Sequence, residues 1–287
     1  MQLNLFLPRH VLLITTATLL LLVLFELAEA LPRPVTVRIN RWLAIRQNWG
    51  QVTYQQQGNS RTVKQGDRLQ AVGDGVTTGK RSGTTLEVDT GIGFIQVTEN
   101  TKLKVRSLGI ASDNGRMTAL EVPYGQVRLQ LRRFNHRGSY LKIQTPAGVS
   151  AVRGTVFGMS VQPNGKTGLA TLSGGVATTA QGKTVLVPAG FQNLTLPGET
   201  PSPAVPLRDD TTLNYKVERQ IKASLRSLRI QGQVDAVNSV FVGDTPQATD
   251  RHGRFSLLLP AASVQTLQVT VLTPLGRRQV HELSIRL

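Results

Sequence analysis

Apolar and polar positions alternate with a period of two along most of this chain. Val35, Val37 and Ile39 are apolar, with Thr36 and Arg38 between them, the signature of a half-buried strand. The same pattern returns at Thr84–Val88, Gly93–Val97, Leu103–Val105, Met117–Val122 and Gln126–Leu131. Gly66-Asp67, Gly73-Asp74-Gly75, Asp113-Asn114-Gly115, Asn164-Gly165, Gln181-Gly182 and Pro188-Ala189-Gly190 punctuate it. Asn-Gly between alternating segments is the strongest short-range hairpin signal. Residues 50–200 show no sustained helical period, which predicts an all-β domain over 31–196. Pro197 to Asp210 reads PGETPSPAVPLRDD and predicts an extended linker over 197–210. The spacing of Leu213, Val217, Ile221, Leu225 and Leu228 suits a short amphipathic helix, although Val217 and Ile221 also fit strands. From Leu228 onward alternation resumes, and residues 211–287 read as a second, smaller β-sandwich.

The N-terminus differs. Val11 to Phe25 is apolar on all faces apart from Thr15, Thr16 and Thr18, and Ala28-x-Ala30 follows it. This predicts a cleaved signal peptide over 1–30, with an uncleaved signal anchor as the alternative. Either places the rest of the chain outside the cytoplasm.

Composition narrows the function. The formal net charge is +16 over 287 residues, with no cysteine. Disulfides, thiolate metal sites and cysteine nucleophiles are thereby excluded. A basic surface attracts anions, but no run of Lys and Arg marks a nucleic-acid tail, which argues against that partner. The nearest approach to a cluster is Arg132, Arg133 and Arg137, a candidate anion contact that also suits a solvated loop; Arg277-Arg278 follow later. The four histidines lie far apart, and no G-x-S-x-G motif occurs. Gly73-x-Gly75-x-x-x-Gly79-Lys80 has the wrong spacing for a phosphate loop and is followed by strand composition rather than a helix. Asp250-x-x-Gly253 is too short for a calcium loop. The reading is non-enzymatic, with no catalytic group, cofactor or metal.

One stretch exceeds what a plain strand needs: TPAGVSAVRGTVFGMSV, Thr145–Val161. Pro146 lacks an N–H and suits a strand end. Ala147, Gly148, Ser150 and Ala151 let another backbone pass close by. Gly154 sits where a Cβ would clash or forbid the required φ. Arg153 can direct its donors onto nearby carbonyls or a carboxylate. The stretch suits a corner where strands change layer, with Arg153 tying the corner or lying exposed on it.

Thr145, Pro146, Arg153, Gly154, Thr155 and Phe157 resemble the signature of the FecR family. Gly66-Asp67-Arg68-Leu69 and Gly75-Val-Thr-Thr-Gly79 precede it in the family's order; Ser173-Gly-Gly-Val176 and Val187-Pro-Ala-Gly190 follow. The resemblance covers residues 50 to 200. It implies a β-roll or solenoid-like stack of short strands outside the cytoplasm. The family's namesake regulator joins that domain to a cytoplasmic anti-sigma segment through one membrane span. Only ten residues precede the apolar run here, so that segment is expected to be missing. Gly232-Gln-Val234, Asn238–Val242, Thr249-Asp250-x-x-Gly253-x-Phe255 and Pro274-x-Gly276 resemble bacterial Ig-like modules of envelope proteins. The joint expectation is an exported protein of the periplasm or cell surface, free or held at the inner membrane. It binds an anionic wall polymer or another envelope protein. The alternative is a membrane-anchored component of cell-surface signal transduction.

Overall fold

In the computed structural model, every regular element among the described residues is a strand. The structure describes residues 41–286 except 57, 223–224 and 261–263. The predicted signal peptide and the Val35–Ile39 strand lie outside the described residues. No helix among the described residues is long and apolar enough to cross a membrane.

The first seventeen strands form two layers over one core. They are β1 (Leu43–Trp49), β2 (Val52–Gln56), β3 (Asn59–Thr62), β4 (Arg68–Leu69), β5 (Gly75–Thr78), β6 (Gly83–Val88), β7 (Gly93–Val97), β8 (Lys102–Ile110) and β9 (Arg116–Leu131). Then follow β10 (Tyr140–Thr145), β11 (Gly148–Val152), β12 (Val156–Val161), β13 (Thr167–Ser173), β14 (Gly175–Ala180), β15 (Lys183–Pro188), β16 (Phe191–Thr195) and β17 (Val205–Pro206). One layer, sheet A, runs β4-β1-β6-β7-β9-β12-β13-β16-β17. The other, sheet B, runs β3-β2-β5-β8-β9-β10-β11-β14-β15.

β9 belongs to both layers. Its first half pairs with β8 and, in parallel, with β10 in sheet B. Its second half pairs with β7 and β12 in sheet A. The switch falls at Pro123-Tyr124-Gly125. Gly125 has φ +96, and a Cβ there would lie 2.3 Å from Thr101 Oγ1, so glycine is required. After β9 the chain lays hairpins alternately on the two sheets: β10–β11 on B, β12–β13 on A, β14–β15 on B, β16–β17 on A. This is the expected roll-like stack.

The alternation explains the packing. Leu86, Ile95, Leu129 and Phe157 form one row across sheet A and point inward, meeting Leu103, Leu120, Leu141 and Ile143 of sheet B. Valine, leucine and isoleucine dominate this core, as β-branched and apolar side chains should on a pleated surface. The turns follow the predicted chemistry. Asn114 (φ 61) and Gln181-Gly182 (φ 48 and 73) adopt left-handed conformations between paired strands.

The remaining strands form a second two-sheet sandwich. β18 (Asn214–Lys222), β19 (Leu225–Gln233) and β22 (Arg254–Pro260) make one sheet; β20 (Ser239–Val242), β21 (Thr245–Gln247), β23 (Val264–Leu272) and β24 (Arg278–Arg286) make the other. Leu228, Ile230, Val240, Phe255, Val269, Val271 and Leu283 fill its core. The helical option for residues 211–228 is not realised. β18 pairs with β19 from Asn214↔Gln233 to Lys222↔Leu225, and tertiary pairing decides an ambiguous segment. The proline-rich segment is extended, yet it is packed along sheet A. β17 pairs with β16, Leu207 N donates to Gly190 O (2.8 Å), and Ala204 packs against the first core.

Candidate binding surfaces

The Thr145–Phe157 motif lies where the chain crosses from sheet B to sheet A. Thr145 and Gly148 flank the two-residue turn Pro146-Ala147 that joins β10 to β11. Thr145 Oγ1 accepts from Ala147 N (3.3 Å) and from Thr167 Oγ1 (3.0 Å), tying this turn to β13. Arg153-Gly154-Thr155 then carries the chain between layers. Thr155 Oγ1 donates to Gly175 O (3.1 Å), and Leu131 N donates to Thr155 O (3.1 Å). Phe157 is buried in the core.

The crossover runs beneath the loop joining β9 to β10. Gly154 has φ +106, and a Cβ there would lie 2.3 Å from Arg133 Cα. Gly154→Ala is therefore expected to cost about 2–3 kcal/mol, read as a fall in melting temperature, because both the backbone and the space reject it. Arg153 Nη2 donates to His136 O (2.8 Å) while the side chain stays exposed. It both ties the corner and presents charge to solvent.

Arg132, Arg133 and Arg137 are exposed on that loop. None of them has an ion-pair partner among the described residues. With Arg153 they place four exposed arginines on the crossover and the loop above it. Asp113, at the β8–β9 turn, is committed elsewhere. It accepts from Gly138 N (2.8 Å) and Gly115 N (3.0 Å), and these amides hold its carboxyl below the usual range. Arg277 and Arg278 lie elsewhere: Arg278 pairs with Glu99, and Arg277 Nη1 donates to Asp209 O (3.2 Å).

A second locus joins the two sandwiches. Gln126 Nε2 donates to Thr273 O and Pro274 O, each at 2.9 Å. Ser160 Oγ donates to Val237 O (3.1 Å), and Gln162 Nε2 donates to Asn238 O (2.7 Å). Thr249 N donates to Gln162 Oε1 (2.9 Å). Lys166 Nζ donates to Thr249 Oγ1 (2.5 Å) and Asp250 O (2.7 Å), with its side chain fully buried. Beside these bonds lies a mainly apolar cleft of about 300 Å³, walled by Tyr124, Pro163, Val240 and Phe241. The residues of this seam escaped the sequence reading. Gln162 and Lys166 flank the Asn164-Gly165 turn, where polar residues ordinarily meet solvent, and nothing local announces that a second sandwich covers them.

Among the described residues no group of three or more His, Asp or Glu side chains could hold a metal ion.

The FecR protein family model matches residues 74–177, from the start of β5 into β14. The segment contains the whole Thr145–Phe157 motif and the arginine loop. No curated protein matches the chain. Two crystal structures of a proposed anti-sigma factor from Parabacteroides distasonis, at 2.50 and 1.65 Å resolution, resemble it with a TM-score of 0.38 and 11% identity. The likeness covers 48% of this chain and 65% of that one, so it spans less than two thirds of that protein.

Proposed function

We propose, from the match of residues 74–177 to the FecR family model, that the chain is an exported, non-enzymatic protein of the cell envelope that binds an anionic wall polymer. The observation that supports this reading is the arginine loop. Arg132, Arg133 and Arg137 stand exposed beside Arg153 at the crossover of the matched segment. Guanidinium forks suit phosphate and carboxylate groups, which they hold through paired hydrogen bonds. The experiment is co-sedimentation of the protein with purified anionic wall polymer at increasing salt. Binding is expected to weaken about tenfold between roughly 50 and 300 mM salt, since the screening length falls from about 14 to about 6 Å over that range. The triple variant Arg132→Ala, Arg133→Ala, Arg137→Ala is expected to lose it. Undiminished binding by this variant would remove the loop from the site.

The FecR match favours a second reading, a component of cell-surface signal transduction held at the inner membrane, whose exported part meets another envelope protein. Fractionation with N-terminal sequencing separates the two. A mature chain starting at Leu31 in the soluble envelope fraction speaks for the binding protein, and retention of Met1–Ala30 in the membrane speaks for the transducer.

A further inference from the structure

We infer that the uncovered half of the outer face of sheet A binds a glycan chain, at a site separate from the arginine loop. The inference rests on the reading of the chain as an envelope binding protein and names a second ligand class for it.

The register defines the face. Thr85, Gln96 and Arg128 lie in one row across β6, β7 and β9; Phe94 and Gln130 lie in the next. Their neighbours along each strand, Leu86, Ile95 and Leu129, point into the core, so this set points outward. On the far side of Thr85, Trp49 pairs with Gly83, and a Cβ on Gly83 would lie 2.2 Å from the indole. The ring therefore lies over the glycine, flat against the outer face. Trp49 is 43% exposed and Phe94 46%, unusual values for large aromatics with apolar surface to hide.

The row of Arg128 continues onto Gly158 of β12 and Ala170 of β13, and there the second sandwich covers it. Pro274 sits over Gly158 and Val237 over Gly168. Leu275 ends the covered half as a wall. A groove of about 270 Å³ runs along it past Phe94, Gln96, Arg128 and Gln130. The binding face is thus a shelf continuous with the seam, closed on one side and open on the other.

Its chemistry selects the occupant. From the Gly83 position to that of Glu87, paired with Phe94, is four residues, about 13 Å along the strand. The two rings thus sit at separate points along an extended ligand. Between them stand Thr85 and Gln96, neutral groups that both donate and accept. A pyranose ring offers an apolar C–H face to an aromatic ring, and hydroxyls that both donate and accept to amides. A protein partner would favour an apolar centre, whereas here the apolar Leu172 and Leu275 lie toward the covered edge and Thr85 and Gln96 hold the middle. Nucleic acid would demand cations along its length. Among the described residues the rows of the shelf carry Arg128 and Arg46, which is paired with Glu87, and Arg132 borders them past Gln130, just beyond the end of β9. That charge suits a neutral glycan or one with sparse carboxylates.

The test uses the full mature chain with two probes, soluble β-1,4-linked N-acetylglucosamine hexamer and purified peptidoglycan sacculi. Trp49 emission is expected to shift on addition of the hexamer, and calorimetry to show binding that changes little with salt. Trp49→Ala and Phe94→Ala are each expected to weaken binding by about tenfold, the scale of losing an aromatic anchor. Trp49→Phe retains a ring and is expected to recover part of the loss, which separates stacking from misfolding. The arginine-loop triple variant is expected to bind both probes as the wild type does. Absence of wild-type binding to both probes, or full binding by Trp49→Ala and Phe94→Ala, overturns the glycan site. Binding that salt and the triple variant both abolish overturns it too, while supporting the anionic-polymer reading.

Discussion

Gly158→Val is expected to separate the two sandwiches while leaving the first one folded. Gly158 lies on the outer face of β12, where its pair partners are Arg128 on β9 and Ala170 on β13. A Cβ there would lie 1.9 Å from Pro274 O and 2.6 Å from Pro274 C, which is backbone and cannot swing aside. The side chain therefore displaces the loop between β23 and β24. That loop carries both carbonyls held by Gln126 Nε2, and the seam bonds of Ser160 and Gln162 lie on the same side of the sheet. Overpacking plus orphaned buried polar groups costs roughly 3 kcal/mol or more. The core beneath is untouched, because Met159 and Phe157 point the other way. Differential scanning calorimetry is expected to resolve two transitions in the variant where the wild type shows one. Limited proteolysis is expected to cut within residues 197–210. Ser160→Ala serves as the contrast, since it removes a single bond to Val237 O and is expected to cost about 1 kcal/mol. A variant that keeps one transition at the wild-type temperature would show that the sandwiches do not depend on this contact.

Local pattern made most of the strands legible, and long-range pairing hid the rest. Alternation marked β6, β7 and part of β8, and the Asn-Gly dipeptides marked the β8–β9 and β12–β13 hairpins, because period and turn chemistry are properties of neighbouring residues. Met117–Val122 and Gln126–Leu131 read as two strands, since Pro123 and Gly125 between them look like a turn. They form one strand, β9, that changes sheets there. Which sheet receives each hairpin depends on partners far along the chain, such as β9 with β12 and β11 with β14. The Arg-Gly-Thr corner was readable because φ and space demand glycine at 154. The seam was not, because Gly158 and Gly168 read as ordinary strand glycines until Pro274 and Val237 are seen against them. Trp49 and Phe94 were equally silent: an aromatic at a strand position suggests burial, and its outward direction follows only from register.

Lys166 makes the stability of this seam rise with pH on the alkaline side. Its ammonium is fully buried, and burial pushes its pKa down from 10.5 to about 8, against the opposing pull of Asp250 and Asp235. Asp250 remains an anion. Burial alone would raise its pKa, but the amides of Arg254 and His252, each at 2.8 Å, hold it below the usual range. Below pH 8 the lysine is charged in both the docked and the solvated state, and docking carries the full desolvation cost. Between pH 8 and 10.5 the solvated lysine still holds its proton while the docked one has lost it. The docked form therefore gains as pH rises through this window. The full shift corresponds to about 3 kcal/mol, at about 1.4 kcal/mol per pH unit. Lys166→Met tests the origin of the slope. The variant keeps the volume but leaves Asp250 O without its donor, at a cost of about 1–3 kcal/mol. Removing the ammonium offsets much of that loss at pH 7, where the two proteins are expected to melt within a few degrees of each other. At pH 10 the wild type is expected to be the more stable by about 1–3 kcal/mol, because its neutral amine satisfies Asp250 O without a charge to bury. Chemical denaturation of both proteins at pH 7, 8.5 and 10 measures this. A stability difference that stays constant across the three pH values would show that Lys166 does not titrate in the docked protein.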